Sequence, residues 1–123
     1  MTAKETKFEH GGLQILVRQA GPGWVVRWTG VSDARDPKTF IQPIVEYLIH
    51  ELKSKNVTID FTGLTFMNSS TVSPIIVMLK SLNTHSIDTR VEFSSADWQQ
   101  THLRCLRTIS RLLEHVTVVG REE

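Results

Sequence analysis

Asn68-Ser69-Ser70-Thr71 is a dense cluster of amide and hydroxyl side chains standing directly before the apolar series Val72, Ile75, Ile76, Leu79 and Leu82. That series has helical spacing, so the cluster falls where a helix begins, and its oxygens can accept from the unpaired N–H groups of the first turn. Capping is one chemistry open to such residues. Phosphate acceptance is another, because a serine hydroxyl there lies beside unpaired donors and the positive end of the helix dipole. A phosphate would bring about −1.5 to −2 charges to the spot. Residue type and spacing allow both, and Ser69, Ser70 and Thr71 are all candidate acceptors.

Other chemistries find less support. His10, His50, His85, His102 and His115 are far apart in sequence, and no two have the three- or four-residue spacing that points two metal ligands off one helix face. Cys105 falls in an apolar helical pattern and reads as an inert core thiol rather than a nucleophile. Gly11-Gly12 and Gly21-Pro22-Gly23 do not make a phosphate-cradling loop, since the second joins two strand-like runs instead of a strand and a helix. No paired carboxylates and no nucleophile with its base stand at informative spacing, so no catalytic residue, metal or cofactor is expected.

The chain has 123 residues, 40% of them hydrophobic and 22% charged, with 14 Lys+Arg against 13 Asp+Glu. This length can bury roughly two-thirds of its unfolded surface without a disulfide framework or a structural metal. A net charge of +1 lacks the basic footprint of a dedicated nucleic-acid binder. The charges are unevenly placed: between Val57 and Leu79, Asp60 is the only Asp, Glu, Lys or Arg. That uncharged stretch is too interrupted by polar residues and Pro74 to cross a membrane, which takes about 20 apolar residues. The polar start Met1-Thr2-Ala3-Lys4 does not read as a signal peptide, and together with a lone cysteine it points to the cytoplasm.

The elements that must position the cluster are set by periodicity. Leu13–Arg18 and Trp24–Thr29 are strand-like runs joined by a turn-forming Ala20-Gly21-Pro22-Gly23. Asp36-Pro37 offers an N-cap and a first-position proline for a helix to about Lys55, with Phe40, Ile44, Leu48 and Leu52 widened by Ile41, Val45 and Ile49 into a core-facing stripe. Pro43 should bend it or delay its start. Val57–Phe61 is a short central strand followed by a loop at Gly63, and the capped helix runs to about Asn83. Thr89–Phe93 alternates as a half-exposed strand, Ser94, Ser95 or Asp97 caps a last helix, and Val116–Val119 is a final strand. The order β-β-α-β-α-β-α-β implies one α/β domain over residues 11–120, with a mixed sheet and helices packed on it, between a flexible N-terminus of residues 1–10 and a tail of residues 121–123.

On the last helix, Arg104, Arg107 and Arg111 project onto one narrow face, with Trp98, His102, Cys105, Ile109, Leu112 and Leu113 opposite. The arginines make either a solvated face or a docking stripe for an acidic partner.

The centre of the chain, Asp60-Phe61-Thr62-Gly63-Leu64-Thr65-Phe66-Met67-Asn68-Ser69-Ser70-Thr71-Val72, resembles the core signature of the STAS domain, shared by sulfate transporters and anti-sigma-factor antagonists. In that family a central strand runs into Asp-Ser-Ser-Gly, which opens a helix. Thr29-Gly30-Val31-Ser32-Asp33 is similar to the family's Thr-Gly-x-x-Asp, in the loop that faces the phosphorylation site. Asn68 stands where the antagonists usually have Asp, and Thr71 where they usually have Gly. A branch of STAS-like bacterial phosphoproteins, including regulators of a diguanylate cyclase, is similar in placing Asn before the acceptor.

The resemblance implies a STAS-like fold and a non-enzymatic, bacterial partner-switching protein. It places Ser69 at the phosphoacceptor, with Ser70 and Thr71 as rivals, and gives Asp33, Arg35, Asn68, Ser70, Thr71 and Val72 partner-binding roles. The implied partners are a serine/threonine kinase or anti-sigma factor, a serine phosphatase, and a diguanylate cyclase or other effector; neither nucleic acid nor membrane insertion is implied. The alternative is an unphosphorylated structural subunit of a transporter or signalling assembly.

Overall fold

The computed structural model describes residues 5–33, 35–52, 56–93 and 105–120. Three strands, β1 (Glu5–His10), β2 (Leu13–Ala20) and β3 (Gly23–Ser32), form an antiparallel meander. From β3 onward the pairing is parallel, through β4 (Asn56–Met67), β5 (Asp88–Phe93) and β6 (Val116–Gly120). The spatial order of the six strands is their order in the chain. Between them lie α1 (Lys38–Glu51), a 3₁₀ turn (Ser69–Thr71) continuing into α2 (Val72–Thr84), and α3 over residues 105–110. Each parallel crossover steps the same way along the sheet, and right-handed crossovers that do so carry their helices to one face.

The core sits between that face and the helices. Alternating Leu13, Ile15 and Val17 of β2 and Trp24, Val26 and Trp28 of β3 point inward, as do Ile41, Ile44, Val45 and Leu48 of α1 and Ile75, Met78, Leu79 and Leu82 of α2. Trp28 meets Phe61 edge-on at 5.1 Å, the favoured arrangement for two aromatic quadrupoles. The opposite face carries exposed Gln14, Arg18, Arg27 and Arg90. There Asp60, only 7% exposed, accepts from the Thr62 backbone N–H at 2.8 Å and the Thr62 hydroxyl at 2.6 Å, with Arg27 Nε 3.5 Å from its other oxygen. The one charge of the uncharged stretch is therefore used to fasten the middle of β4.

Several boundaries differ from the sequence expectation. Glu5–His10, expected to be flexible, is an edge strand, because Thr6 and Phe8 alternate inward while Glu5, Lys7 and Glu9 face out. Phe8 packs edge-on against Tyr47 at 5.6 Å, and the Thr6 hydroxyl lies 2.8 Å from that of Tyr47. The expected loop at Gly63 is strand, as is Gly30-Val31-Ser32: β3 and β4 run on together to Ser32 and Met67. These glycines permit close approach. A Cβ on Gly63 would lie 2.9 Å from Thr29 Cγ2, and one on Gly30, whose φ is +92°, would collide with the Gly12 carbonyl oxygen. The register of β3 against β4 shifts at this point.

Pro37, not Asp36, is the N-cap residue of α1; Asp36 still anchors the turn by accepting from the Thr39 hydroxyl at 2.7 Å. The helix ends at Glu51, short of Lys55, and contains Pro43 in its second turn. Pro74 falls in the first turn of α2, where a missing N–H costs no helical hydrogen bond.

The last helix differs most. It closes at Ser110 in a tight turn, with Leu112 and Leu113 N–H bonded to the carbonyls of Ile109 and Ser110. A helical projection continued past that end misplaces the next residues: Leu112 is 82% exposed and Arg111 lies beyond the helix. Cys105, expected in the core, is exposed, and Leu106 is buried in its stead. Arg107 stacks over the Phe93 ring at 5.4 Å, so it is a packing cation as much as a surface charge. Ser94, Ser95, Asp97, Trp98, His102 and Arg104 lie outside the described residues.

The two kinds of glycine should separate in urea unfolding. Gly30→Ala meets a steric collision as well as a left-handed φ and should lose roughly 2–4 kcal/mol. Gly21→Ala, also at positive φ but with open space around it, should lose only about 1–2 kcal/mol.

Candidate functional site

The polar cluster lies where β3 and β4 end side by side. Ser32 and Met67, the last residues of these parallel strands, are in register, and the next residue, Asn68, donates its N–H to the Ser32 carbonyl at 2.8 Å. The site is thus at the carboxyl ends of parallel strands, the edge of an α/β sheet where the chain turns into helix N-termini.

Asn68 has extended backbone, and its side chain caps the 3₁₀ turn. Its Oδ1 accepts from the Thr71 N–H at 3.2 Å and from the Thr71 hydroxyl at 2.7 Å. The Thr71 hydroxyl also lies 2.8 Å from Ser32 Oγ. A hydroxyl has one proton, and Thr71 gives its own to an amide oxygen, so Ser32 must be the donor in that second bond. Ser32→Thr71→Asn68 is therefore a directed chain of hydrogen bonds joining the end of β3 to the start of α2. Ser32 is buried and Thr71 is 0% exposed, so the bond between them is shielded from water, while Asn68 at the end of the chain is half-buried.

This bracket accounts for the two departures from the commoner motif. Both bonds to residue 68 go to an oxygen that Asn supplies as well as Asp, without the charge. Thr71, where glycine is usual in the motif, provides the hydroxyl that reaches Ser32. The sequence signal for Ser32 is slight: a small polar residue at a strand end, one position before Asp33.

Ser69 and Ser70 are exposed above the bracket. Neither the 3₁₀ turn nor α2 has an acidic residue in its first turn, so the positive helix end is not neutralised from within. Asp33 is exposed immediately after Ser32, Arg35 is exposed in the bend before α1, and Val72 is half-buried against the core. Asn68, Thr71 and Ser32 are thus in contact, Asp33 adjoins them along the chain, Ser69 and Ser70 face solvent, and Arg35 sits further along the connection. Phe66, not anticipated, is 45% exposed at the end of β4 and adds an apolar rim.

The other candidates stay apart from this place. His10 stacks on Phe40 at 4.6 Å, and His115 Nδ1 pairs with Asp88 Oδ1 at 2.9 Å at the start of β5. Among the described residues no three His, Cys, Asp or Glu side chains converge as a metal site would require.

Comparison with known proteins agrees with the geometry. No protein-family model matches the chain, and no curated protein matches it in sequence. Among solved structures it is similar to the anti-sigma factor antagonist SpoIIAA in its unphosphorylated form, with a TM-score of 0.53 and 16% identity over 85% of this chain and 87% of that one. The chain has a STAS-like fold. At that identity the likeness concerns architecture, and in a STAS-like frame the bracket occupies the turn from the central strand into its helix. Among the described residues no helix is long and apolar enough to cross a membrane.

Thr71→Val should lower stability by roughly 1–3 kcal/mol in urea unfolding, because it strands the buried Ser32 hydroxyl. Adding Ser32→Ala should cost less than the sum of the two single changes, since both cut one chain of bonds. Asn68→Asp should leave stability within about 0.5 kcal/mol of the parent.

Proposed function

We propose that the protein is a non-enzymatic regulator of a bacterial partner-switching pathway, acting in the cytoplasm, in which a phosphate on Ser69 decides what it binds. One observation carries this reading: Ser69 is exposed at the start of a helix whose backbone is locked from beneath by the Ser32–Thr71–Asn68 bonds. A kinase meets an accessible hydroxyl on a rigid turn. The same geometry ranks the acceptors. Ser70 is the exposed rival, whereas the Thr71 hydroxyl is buried and already both donates and accepts, so in this reading Thr71 holds the site and is not modified.

Unphosphorylated, the surface around Ser69 is a neutral cap, an exposed Phe66 and a half-buried Val72, with Asp33 at its margin. A partner packed there can desolvate it at little cost. A phosphate adds about −1.5 to −2 charges that the helix end tolerates but that a packed partner must pair or avoid. A coupling of roughly 1–3 kcal/mol then changes partner affinity by about 5- to 150-fold. Asp33 and Arg35 complete the partner-reading surface on the β3 side. The partners proposed by class are a serine/threonine kinase that also serves as, or releases, the target, and a serine phosphatase that resets the switch. The target proposed is an anti-sigma factor or, by the resemblance of Asn68 to the Asn-bearing branch, an effector such as a diguanylate cyclase.

Incubation with the cognate serine kinase and ATP, followed by mass spectrometric mapping, should put the phosphate on Ser69. A phosphate found only outside Ser69 and Ser70 contradicts the proposal. In pull-downs with the cognate partner, Ser69→Ala should bind and Ser69→Asp should be weakened; equal retention of both would show that charge is not the signal.

A further inference from the structure

α1 and α2 both connect parallel strands, so they run in the same direction and their N-termini lie at the same end of the sheet. Between them is an open groove of ≈ 300 Å³. Ile41 and Val45 of α1 form its floor, and Pro74 and Val77 of α2 form a wall in which Val77 is 57% exposed. Lys38, Gln42 and Glu46 recur every four residues along the α1 rim, all exposed. Lys38 and Glu46 carry no ion pair among the described residues. Ser73 lines the end nearest Lys38 and lies one helical turn from Ser69 and Ser70.

The groove is therefore polarised. Of the charged side chains that line it, Lys38 stands at the end where two helices begin, with the Asp36 carboxylate outside the lining and bonded to the Thr39 hydroxyl, and Glu46 stands toward the end where they finish. The separation of Lys38 and Glu46, eight residues on one helix, is about 12 Å, the span of two further helical turns on a partner. We infer that this groove receives an amphipathic helix of the partner protein, with an acidic side chain facing Lys38 and a basic one two turns away facing Glu46 around an apolar stripe that covers Val77. A second copy of this chain fits less well, since it would have to offer the same pattern from a helix already committed to its own core. The inference rests on the switch reading only for its regulation. The acidic residue must dock at the end of the groove next to Ser69, so a phosphate there repels it directly, and release needs no change of fold.

The probe is a stapled 14-residue helical peptide with leucines at i, i+3 and i+7 and with Glu and Lys two turns apart on the flank, titrated into the ¹⁵N-labelled full chain. Saturable amide shifts confined to residues 38–49 and 72–81 support the inference. Val77→Asp, at an exposed position that leaves the fold intact, should weaken binding at least tenfold. Lys38→Glu with Glu46→Lys should transfer preference to the charge-swapped peptide. No saturable shift with either peptide, shifts on the open sheet face, or concentration-dependent self-association that Val77→Asp abolishes would each overturn it. Repeating the titration with phosphoserine incorporated at Ser69 separates the two readings. Weaker binding supports the coupling, and unchanged binding overturns the coupling while leaving the groove as a docking site. Phosphorylation of Ser69 with no peptide binding in either form removes the groove and leaves the switch reading standing.

Discussion

The short chain of hydrogen bonds from Ser32 through Thr71 to Asn68 is the constraint on which the functional end of the molecule depends. It ties the last residue of β3 to the first turn before α2, adding a side-chain link to the backbone bond from the Asn68 N–H to the Ser32 carbonyl. Each partner uses its capacity: the serine donates, the threonine relays, and the asparagine oxygen accepts two bonds. Because Ser32 and Thr71 are buried and the chain is uncharged, it fixes the turn while bringing no charge to the surface. What is presented is the residue above it, Ser69.

The rest of the architecture serves that placement. Close approach at Gly63 lets β4 run on beside β3, and at Gly30 lets β3 pass the Gly12 carbonyl, so the pair continues until Ser32 and Met67 finish level with each other. Asp60, clamped by Thr62 and Arg27, holds β4 on the uncovered face, and Trp28 and Phe61 pack its other side. Monotonic strand order puts α1 and α2 alongside each other and leaves a polarised groove that opens beside the phosphoacceptor candidate. Site and groove share one end of the molecule because parallel strands force their helices to start there.

Much of this is legible in the sequence wherever one physical signal acts alone. The apolar series of α1 and α2, the alternation of β2, β3 and β5, and the capping role of Asn68 all come from periodicity and residue type. Signals that carry two meanings mislead. Gly63 marks close backbone approach and not a loop, because a glycine tells of missing steric bulk without saying which backbone uses the space. Glu5–His10 looks flexible in sequence because its charges belong to the outward half of an alternating strand. A helical projection carried past an end that no Gly or Pro announces puts Leu112 in the core, where it does not lie, and the apolar face inside the helix falls on Leu106 instead of Cys105. The Ser32–Thr71 bond joins residues 39 apart in the chain, and no local pattern encodes such a contact.

In the proposed switch, charge arriving at Ser69 changes the surface and not the fold. Comparing ¹⁵N–¹H spectra of the full chain with serine and with phosphoserine at position 69 tests it most directly. Amide shifts should be confined to residues 66–75 and the neighbouring ends of β3 and α1, with the Thr71 amide keeping its hydrogen-exchange protection. Shifts spread across β1, β2 and β6, or loss of protection at Thr71, would show that phosphate breaks the bracket and that the switch works by rearrangement instead.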